Sequence, residues 1–297
     1  GNVLDADVVV TATGLDLDER SRFAARELVF AHAALGDPAQ RRLRHDQRIA
    51  RAGFGIAQAS ERDANVALRD WRLVRGGDGI YAMSIASESA RFAFDLRAAP
   101  TQPLLLQGDA GISRKGQQAD QVSRYYSEPQ LDVAGTLRID GVARAVRGRA
   151  WLDHEWSDAF LPPQAVGWDW IGMNLDDGSA LTAFRLRRAD GSSVYAGGSW
   201  RAPGEASRSF ADAQVRFAAG RIWQSASSGA RYPVQWRVET PAGTFDVVST
   251  MDDQELDSRS STGAIYWEGL SELRDVQGRR IGWGFLEMTG YASMPRI

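Results

Sequence analysis

Short runs of alternating apolar and polar residues, separated by turn residues, constrain this chain more than any other feature of its sequence. The runs recur roughly every 8 to 15 residues and are rich in β-branched and aromatic side chains. At four of the breaks a glycine follows aspartate or glutamine, as tight hairpin turns with a positive φ require. These pairs are Asp140-Gly141, Asp177-Gly178, Asp190-Gly191 and Gln277-Gly278. The pattern predicts an all-β fold of consecutive antiparallel hairpins.

The number of strands divides the chain into two domains. About fifteen strands with hairpin connections exceed what one open sheet holds comfortably, so they must form sandwiches or closed barrels. A length of 297 residues suits two domains. Pro162-Pro163 interrupts two strand-like runs, and we place the boundary near residue 160. The sequence therefore predicts two antiparallel barrels, residues 1–160 and residues 161–297.

Two segments depart from the strand pattern. Residues 39–50 carry leucine and isoleucine among arginines without a two-residue period, so they read as a short surface helix or a loop. Residues 108–124 are rich in glycine and glutamine and read as a long excursion before the next strand.

Charge and composition exclude several classes of function. The net charge of -3 arises from 35 basic and 38 acidic residues spread through the chain, and this balance offers no broad positive surface to a nucleic acid. We therefore expect no nucleic-acid partner. Lys115 is the single lysine among the basic residues, which we attribute to compositional bias. No run approaches the roughly 18 apolar residues of a membrane-spanning helix.

Motifs for metals, cofactors and common nucleophiles do not occur in the sequence. The chain has no cysteine, which excludes disulfides, thiolate metal sites and a cysteine nucleophile. His32, His45 and His154 are not at zinc-binding spacing. Neither a phosphate-binding glycine loop nor a Gly-x-Ser-x-Gly elbow is present. The sequence predicts no metal and no cofactor, and it disfavours a serine hydrolase.

Four of the ten tryptophans cluster within twenty residues and alternate with ionisable groups. They lie in Trp151-Leu152-Asp153-His154-Glu155-Trp156 and in Gly167-Trp168-Asp169-Trp170. Core packing is the ordinary explanation for most tryptophans of a β protein, because each indole is a large apolar body with one N–H to satisfy. The interleaved acids and histidine make this cluster the candidate site. We expect Trp151, Trp168 and Trp170 to line it together with Tyr126.

Alternation along a strand assigns these side chains to faces. Over residues 142–156 the even-numbered set is the more apolar, which predicts that His154 and Trp156 point inward. Asp169 shares a face with Ile171 and belongs to the apolar set of its own strand. Burial among apolar side chains raises the pKa of a carboxyl and makes it a candidate general acid. We therefore expect Asp169 to act as the acid, His154 to exchange its proton and Trp156 to stabilise a cation.

The same residues allow other interpretations. An acid, an imidazole and an indole together suit protonation of a carbon–carbon double bond followed by capture of water, but a buried Asp169–His154 pair is also an ordinary structural hydrogen bond. Asp153 and Glu155 share the opposite face and would suit the paired carboxylates of a glycoside hydrolase. Arginines such as Arg149 would instead make them part of a salt-bridged surface.

Ordered motifs along nearly the whole chain match the pattern of a known family. They are Tyr125-Tyr126-Ser127-x-Pro129, Trp151-Leu152-Asp153-His154-Glu155-Trp156, Gly167-Trp168-Asp169-Trp170 and Tyr266-Trp267-Glu268-Gly269. With them the sequence resembles the AttH-like proteins, relatives of carotenoid 1,2-hydratase (hydroxyneurosporene synthase), and especially their bacterial branch of predicted secreted hydrolases. The resemblance implies two lipocalin-like β domains packed side by side and an acid-catalysed, cofactor-independent addition of water to an isoprenoid double bond. It also implies catalytic roles for Asp169, His154 and Trp156.

Two further expectations come from the resemblance alone. The family usually begins with an aromatic-rich strand ahead of the Gly1-Asn2 of this chain, which implies that the first strand of the N-terminal domain is missing. Residence outside the cytoplasm, as a periplasmic, secreted or lipoprotein form, is implied in the same way.

Two functions follow from the sequence. The first is a hydratase or lyase-like enzyme acting on a lipophilic, isoprenoid-like alkene. The second is a lipocalin-like carrier or chaperone of a lipophilic molecule at the cell envelope, associated with the membrane or a transport system, in which the aromatic residues line a pocket and the ionisable groups are structural. A third alternative is a protein-interaction module with fully packed barrels.

Overall fold

The computed structural model describes residues 4–14, 27–158 and 161–293. In this part of the chain the regular structure is antiparallel strand, apart from one 3₁₀ helix at Asp212–Gln214. The prediction of an all-β fold is confirmed, and the curled antiparallel sheets agree with a lipocalin-like fold. No helix in these ranges is long and apolar enough to cross a membrane.

The strands form two compact units. The first comprises residues 1–100, 132–148 and 260–262, and the second comprises residues 101–131, 149–259 and 263–297. The predicted boundary at residue 160 lies outside the described residues, and the described residues on both sides of it belong to the second unit. The division differs from the prediction because two long paired strands each contribute residues to both units, so a proline break does not mark it.

Eight strands form most of the first unit in the part of the chain that the structure describes. They are β1 Asp5–Gly14, β2 Glu27–Asp37, β3 Arg42–Arg51, β4 Ala57–Ala59, β5 Asn65–Leu68, β6 Trp71–Arg75, β7 Tyr81–Ser87 and β8 Phe92–Ala99. β1, β2 and β3 pair in that order, and β4 to β8 pair consecutively in a second sheet. Leu35, Trp71, Phe92 and Phe94 are buried in one core. An apolar cavity beside Trp71 has a volume of about 10 Å³, which is room for one water molecule.

The prediction of a helix or loop over residues 39–50 is wrong, because this segment contains β3. All of β3 pairs with β2. Its arginines are held by acids far along the chain: Arg44 is buried and donates to Asp140 at 2.6 Å, and Arg48 pairs with Asp70. Long-range ion pairs replace the apolar alternation that would have revealed the strand.

A long hairpin supplies residues to both units. Two short strands precede it, β9 Leu105–Leu106 and β10 Ile112–Arg114, and its own strands are β11 Val122–Ile139 and β12 Val142–Trp156. The predicted turn joins them, with φ of 51° at Asp140 and 84° at Gly141, as a tight hairpin turn requires. β9 and β10 pair with the first part of β11, and β8 pairs with its last part. The predicted excursion over residues 108–124 therefore contains β10 and the start of β11.

Twelve further strands complete the second unit. They are β13 Gly167–Leu175, β14 Ala180–Arg187, β15 Ser193–Arg201, β16 Arg208–Phe210, β17 Arg216–Ala219, β18 Ile222–Gln224, β19 Arg231–Pro233, β20 Gln235–Thr240, β21 Gly243–Ser249, β22 Glu255–Ser258, β23 Ala264–Arg274 and β24 Arg280–Thr289. One sheet runs in the order β16-β15-β14-β13-β24-β23-β21-β20-β17, with β22 paired to β23, and β18 pairs with β19. Ile171, Met173, Trp236 and Trp267 lie in the core of this unit.

Candidate functional site

The candidate site lies between two faces within the second unit. Odd-numbered residues of the hairpin, among them Tyr125, Ser127, Trp151 and Asp153, form one face, because alternate side chains of a strand share a side. The other face is the side of β13 that carries Trp170. Contacts of Trp170 with Tyr125 and with Trp151 join the two faces.

Asp153 places a carboxyl at the open side of this site. Its Oδ1 accepts hydrogen bonds from Ser127 Oγ at 2.5 Å and from Trp151 Nε1 at 2.9 Å. Solvent reaches the side chain, yet the surrounding protein weakens the hydration of its charged form, which raises the pKa of Asp153 to about 6. The hydrogen bonds oppose this rise, and the negative charge of Glu155 adds to it. A ligand can therefore contact this carboxyl, and we call the space between the two faces the recess.

Tyr125 and Trp170 connect the two faces. Trp170 Nε1 donates a hydrogen bond to the Tyr125 hydroxyl at 3.1 Å. Tyr125 is buried, and burial, together with the charges of Asp153 and Glu155, raises the pKa of its phenol well above the ordinary value. The phenol therefore keeps its proton at neutral pH and can donate a hydrogen bond inside the site.

Two indoles form the apolar wall of the site. The rings of Trp151 and Trp170 meet edge to face, with their centroids 6.4 Å apart. Gly172 makes room for them, since a Cβ there would lie 2.3 Å from the Trp170 ring and 3.0 Å from the Trp151 ring. Asn174 Nδ2 donates to the carbonyl of Ala150 at 3.1 Å and ties β13 to β12 beside the wall.

A buried chain of hydrogen bonds forms the floor beneath Asp153. The Gln107 amide donates to Ser127 Oγ at 2.9 Å and to Thr182 Oγ1 at 3.1 Å, and its carbonyl accepts from Ser199 Oγ at 2.7 Å. All four of these polar residues are buried. Because Ser127 Oγ accepts from Gln107, its one hydrogen is directed to Asp153. The floor thus fixes the orientation of the carboxyl.

An ion pair stands at the rim. Lys115 Nζ lies 2.6 Å from Glu155 Oε1, which also accepts a hydrogen bond from Ser123 Oγ. The ammonium lies over the rings of Phe184 and Tyr125, 4.6 Å and 5.1 Å from their centroids. The rim therefore combines a carboxylate, a cation and two ring faces.

Asp169 occupies a different environment from the one that the sequence predicts. It is fully buried on β13 and faces the core together with Ile171. Its Oδ2 lies 2.6 Å from Arg185 Nε and 3.2 Å from Arg187 Nε, and its Oδ1 accepts a hydrogen bond from the Tyr291 hydroxyl at 2.8 Å. Two guanidinium groups balance its charge, whereas the sequence interpretation requires an acid without charged partners at this position.

The side chains of His154 and Trp156 lie on the opposite face of the hairpin from Asp153. The prediction that they point inward is wrong: both are exposed, Trp156 by 49%. His154 Nδ1 is 2.9 Å from the Tyr126 hydroxyl, and its ring centroid is 5.1 Å from that of Trp156. These three side chains form an open aromatic cluster.

The predicted site residues therefore fall into three places. The recess contains two predicted tryptophans, Trp151 and Trp170, together with Asp153. Strand β12 separates the recess from His154 and its cluster, and β13 separates the recess from Asp169. Trp168 is half-buried on β13, on the side that Trp170 occupies.

Sequence reasoning misses three polar residues of the floor. Gln107, Thr182 and Ser199 are single polar residues in three separate segments, and no spacing relates them. Ser127 and Glu155 lie in motifs that the sequence analysis names, and Lys115 is the one lysine of the chain.

Acidic and histidine side chains do not gather into a metal centre in residues 4–14, 27–158 and 161–293. No three of them are arranged to hold an ion there.

Comparisons with known proteins identify relatives along almost the full chain. The profile of the AttH-like family matches residues 8–291. The crystal structure of a candidate AttH protein from Nitrosomonas europaea is similar, with 46% sequence identity, a TM-score of 0.90, and coverage of 97% of this chain and 87% of that one. Kievitone hydratase from Nectria haematococca shares the fold, with 16% identity, a TM-score of 0.67, and coverage of 97% and 85%. No curated protein matches the sequence.

Proposed function

The chain belongs to the AttH-like family, and from this premise we propose that it is a cofactor-independent, hydratase-like enzyme that adds water to an alkene in a lipophilic, isoprenoid-like molecule. One observation carries the proposal: the solvent-accessible Asp153 carboxyl, with a pKa of about 6, stands beside two indoles. The shared fold of kievitone hydratase, whose name states a hydration, supports the same class of reaction.

The hydrogen bonds of Asp153 determine which oxygen carries its proton. Oδ1 accepts from two donors, Ser127 and Trp151. A carboxylic acid whose one oxygen accepts twice has its hydrogen on the other oxygen, here Oδ2. A general acid works best when its pKa is near the pH at which the enzyme operates, and a value of about 6 meets this condition.

The reaction then follows from the arrangement of the recess. Asp153 Oδ2 transfers its proton to one alkene carbon, and the electron pair of the double bond forms the new C–H bond. Positive charge develops on the other carbon, where the faces of Trp151 and Trp170 can stabilise it. Water adds to this carbon and loses one proton to a carboxylate, so the net reaction joins one alkene and one water to give an alcohol.

Incorporation of oxygen from labelled water tests the proposal. Purified protein is incubated with farnesol, squalene or lycopene in H₂¹⁸O, and products are analysed for a new ¹⁸O-labelled alcohol by mass spectrometry. Asp153→Asn should abolish the product and leave the fold intact, and the initial rate of the unsubstituted protein should fall as the pH rises above about 6.

A matched control variant is available in the first unit. Asp95 is exposed and accepts a serine hydrogen bond at 2.6 Å, as Asp153 does, but lies outside the recess. Asp95→Asn should therefore retain full activity. Undiminished activity in Asp153→Asn would refute the mechanism, and binding of these alkenes without ¹⁸O incorporation would favour the carrier instead.

A further inference from the structure

The single lysine of the chain occupies a chemically specific position. Lys115 is the only lysine among 35 basic residues. Composition explains why lysine is rare here, but it does not explain why this one lies at the rim of the recess, 2.6 Å from Glu155. Glu155 is two residues from Asp153 on the same face of β12.

The Lys115 ammonium is held on three sides. The rings of Phe184 and Tyr125 lie on two of them, at 4.6 Å and 5.1 Å from their centroids, and Glu155 lies on the third. The side chain is only 18% exposed. Lysine brings a compact point charge, whereas arginine brings a wide planar fork. A compact charge suits a space between two rings and a single carboxylate oxygen.

The two neighbouring carboxyls have different partners. Glu155 Oε1 faces the cationic Lys115 and accepts from Ser123 Oγ. Asp153 receives its hydrogen bonds from uncharged donors, a serine and an indole. A nearby cation favours the ionised form of a carboxyl, and neutral donors in a poorly hydrated recess favour it far less. Different surroundings for two adjacent acids are the arrangement that separates an acid from a base.

We propose that Lys115 is a positioning residue that holds the Glu155 carboxylate in place by an ion pair, so that the two carboxyls of β12 divide the reaction between an acid, Asp153, and a base, Glu155. This inference rests on the hydration proposed above. Residues two apart on one face of a strand have Cα atoms roughly 7 Å apart, so the two carboxyls stand side by side on the same face of β12.

The proton balance of this division is complete. Asp153 gives its proton to the alkene, the water oxygen bonds to the adjacent carbon, and a proton of that water passes to Glu155. Once the alcohol has formed, Asp153 is a carboxylate and Glu155 is a carboxylic acid. Transfer of one proton from Glu155 to Asp153 through solvent restores both groups, and no other reactant is needed.

The groups that face Glu155 come from four elements. Lys115 lies in the segment before β11 and Asp153 on the same strand as Glu155, while β11 contributes the uncharged Tyr125 phenol and β14 the uncharged Phe184 ring. Among these groups Lys115 alone is positive. Removal of Lys115 therefore takes away the one positive charge in this group that balances the Glu155 carboxylate.

Carbon-13 NMR titration of the side-chain carboxyls, on the full chain without substrate, tests this inference. Asp153→Asn and Glu155→Gln assign the two resonances. Lys115→Met keeps the length of the side chain between the two rings and removes its charge, and we expect the Glu155 carboxyl resonance to move because its ion pair is broken. Lys115→Arg is the conservative control and should keep the resonance near its original position, because it retains the charge.

An unchanged Glu155 carboxyl resonance in Lys115→Met would overturn the inference. If Lys115→Met fails to fold, Glu155→Gln is the second test. It removes the negative charge beside Asp153 and should lower the pH at the midpoint of the Asp153 titration. An unchanged midpoint would show that the two carboxyls are not coupled and would overturn the inference. Because these titrations use no substrate, their outcome is independent of the ¹⁸O experiment. If the protein hydrates an alkene but Lys115→Met leaves the Glu155 resonance unchanged, only the positioning role of Lys115 is refuted. If the resonance changes but no hydration occurs, only the proposed function is refuted.

Discussion

Two aspartates of this chain show how surroundings decide what a carboxyl group can do. Asp169 is buried between Arg185, Arg187 and a tyrosine hydroxyl, and each of these groups donates to or pairs with its carboxylate oxygens. Asp153 is open to solvent, bonded by neutral donors and poorly hydrated, which raises its pKa to about 6. The deeply buried acid is therefore held by ion pairs, and the accessible acid is the one that a ligand can reach.

The raised pKa of Asp153 makes the stability of the protein depend on pH. The folded state binds this proton more tightly than the unfolded chain, because the pKa rises from 3.8 to about 6 on folding. The resulting stabilisation is fully present below about pH 4 and is lost as the pH rises through 6. Relative to the unsubstituted protein, the free energy of unfolding of Asp153→Asn should therefore increase between about pH 4 and pH 7, by about 1 kcal/mol after allowance for solvent screening. Urea denaturation at both pH values measures it, and a constant or decreasing difference would contradict the raised pKa.

Removal of the Asp169 charge should destabilise the protein. Asp169→Asn leaves two largely buried guanidinium groups without their anion, and breaking such a group costs about 3–5 kcal/mol. Asp95→Asn, at an exposed position, should change the free energy of unfolding by less than about 0.5 kcal/mol. Urea denaturation compares the two variants, and a fully stable Asp169→Asn that lacks hydration would return Asp169 to a catalytic role.

At the scale of the element, the β11–β12 hairpin determines where the site residues point. The Asp140-Gly141 turn and the two strands were predictable from alternation and from glycine at a positive φ. The face of β12 that points to the recess was not predictable. The rule that apolar side chains point inward selects the even-numbered residues, which include His154 and Trp156. The odd set turns to the recess instead, where Trp151 and Asp153 meet the buried polar floor of Gln107.

Contacts between distant segments account for the rest of what the sequence did not reveal. Gln107 bonds Thr182 and Ser199, 75 and 92 residues away. The strand β3 escaped detection for the same reason, since Arg44 is held by Asp140, 96 residues away. Local periodicity carries no information about such partners.

The close approach of two indoles at Gly172 gives a prediction for this element. Gly172→Ala places a Cβ against both rings, and overpacking of this kind costs about 1–3 kcal/mol. Gly148→Ala is the matched control on β12, because nothing lies within 4 Å of a Cβ there. Thermal unfolding should show a lowered midpoint for Gly172→Ala alone, and hydration should fall with it. Equal midpoints for the two variants would contradict the packing of the aromatic wall.

At the scale of the whole molecule, each unit has its own core, and only the second contributes the residues of the recess. The all-β class and the family followed from strand number, turn residues and ordered motifs. The division into units was not predictable in this way, because the chain passes from one unit to the other after residues 100, 131 and 148. A double proline marks a break in pairing, whereas a unit is defined by contacts that a long hairpin can share.

The most direct test of the account is the titration of the Asp153 carboxyl in the intact protein. Carbon-13 chemical shifts, assigned with Asp153→Asn, follow this group between about pH 3 and pH 9. The account predicts a midpoint of about 6, which gives a proton-bearing acid in an accessible recess. A midpoint at or below the ordinary value of 3.8 would contradict it, because Asp153 would then carry no proton to give to an alkene.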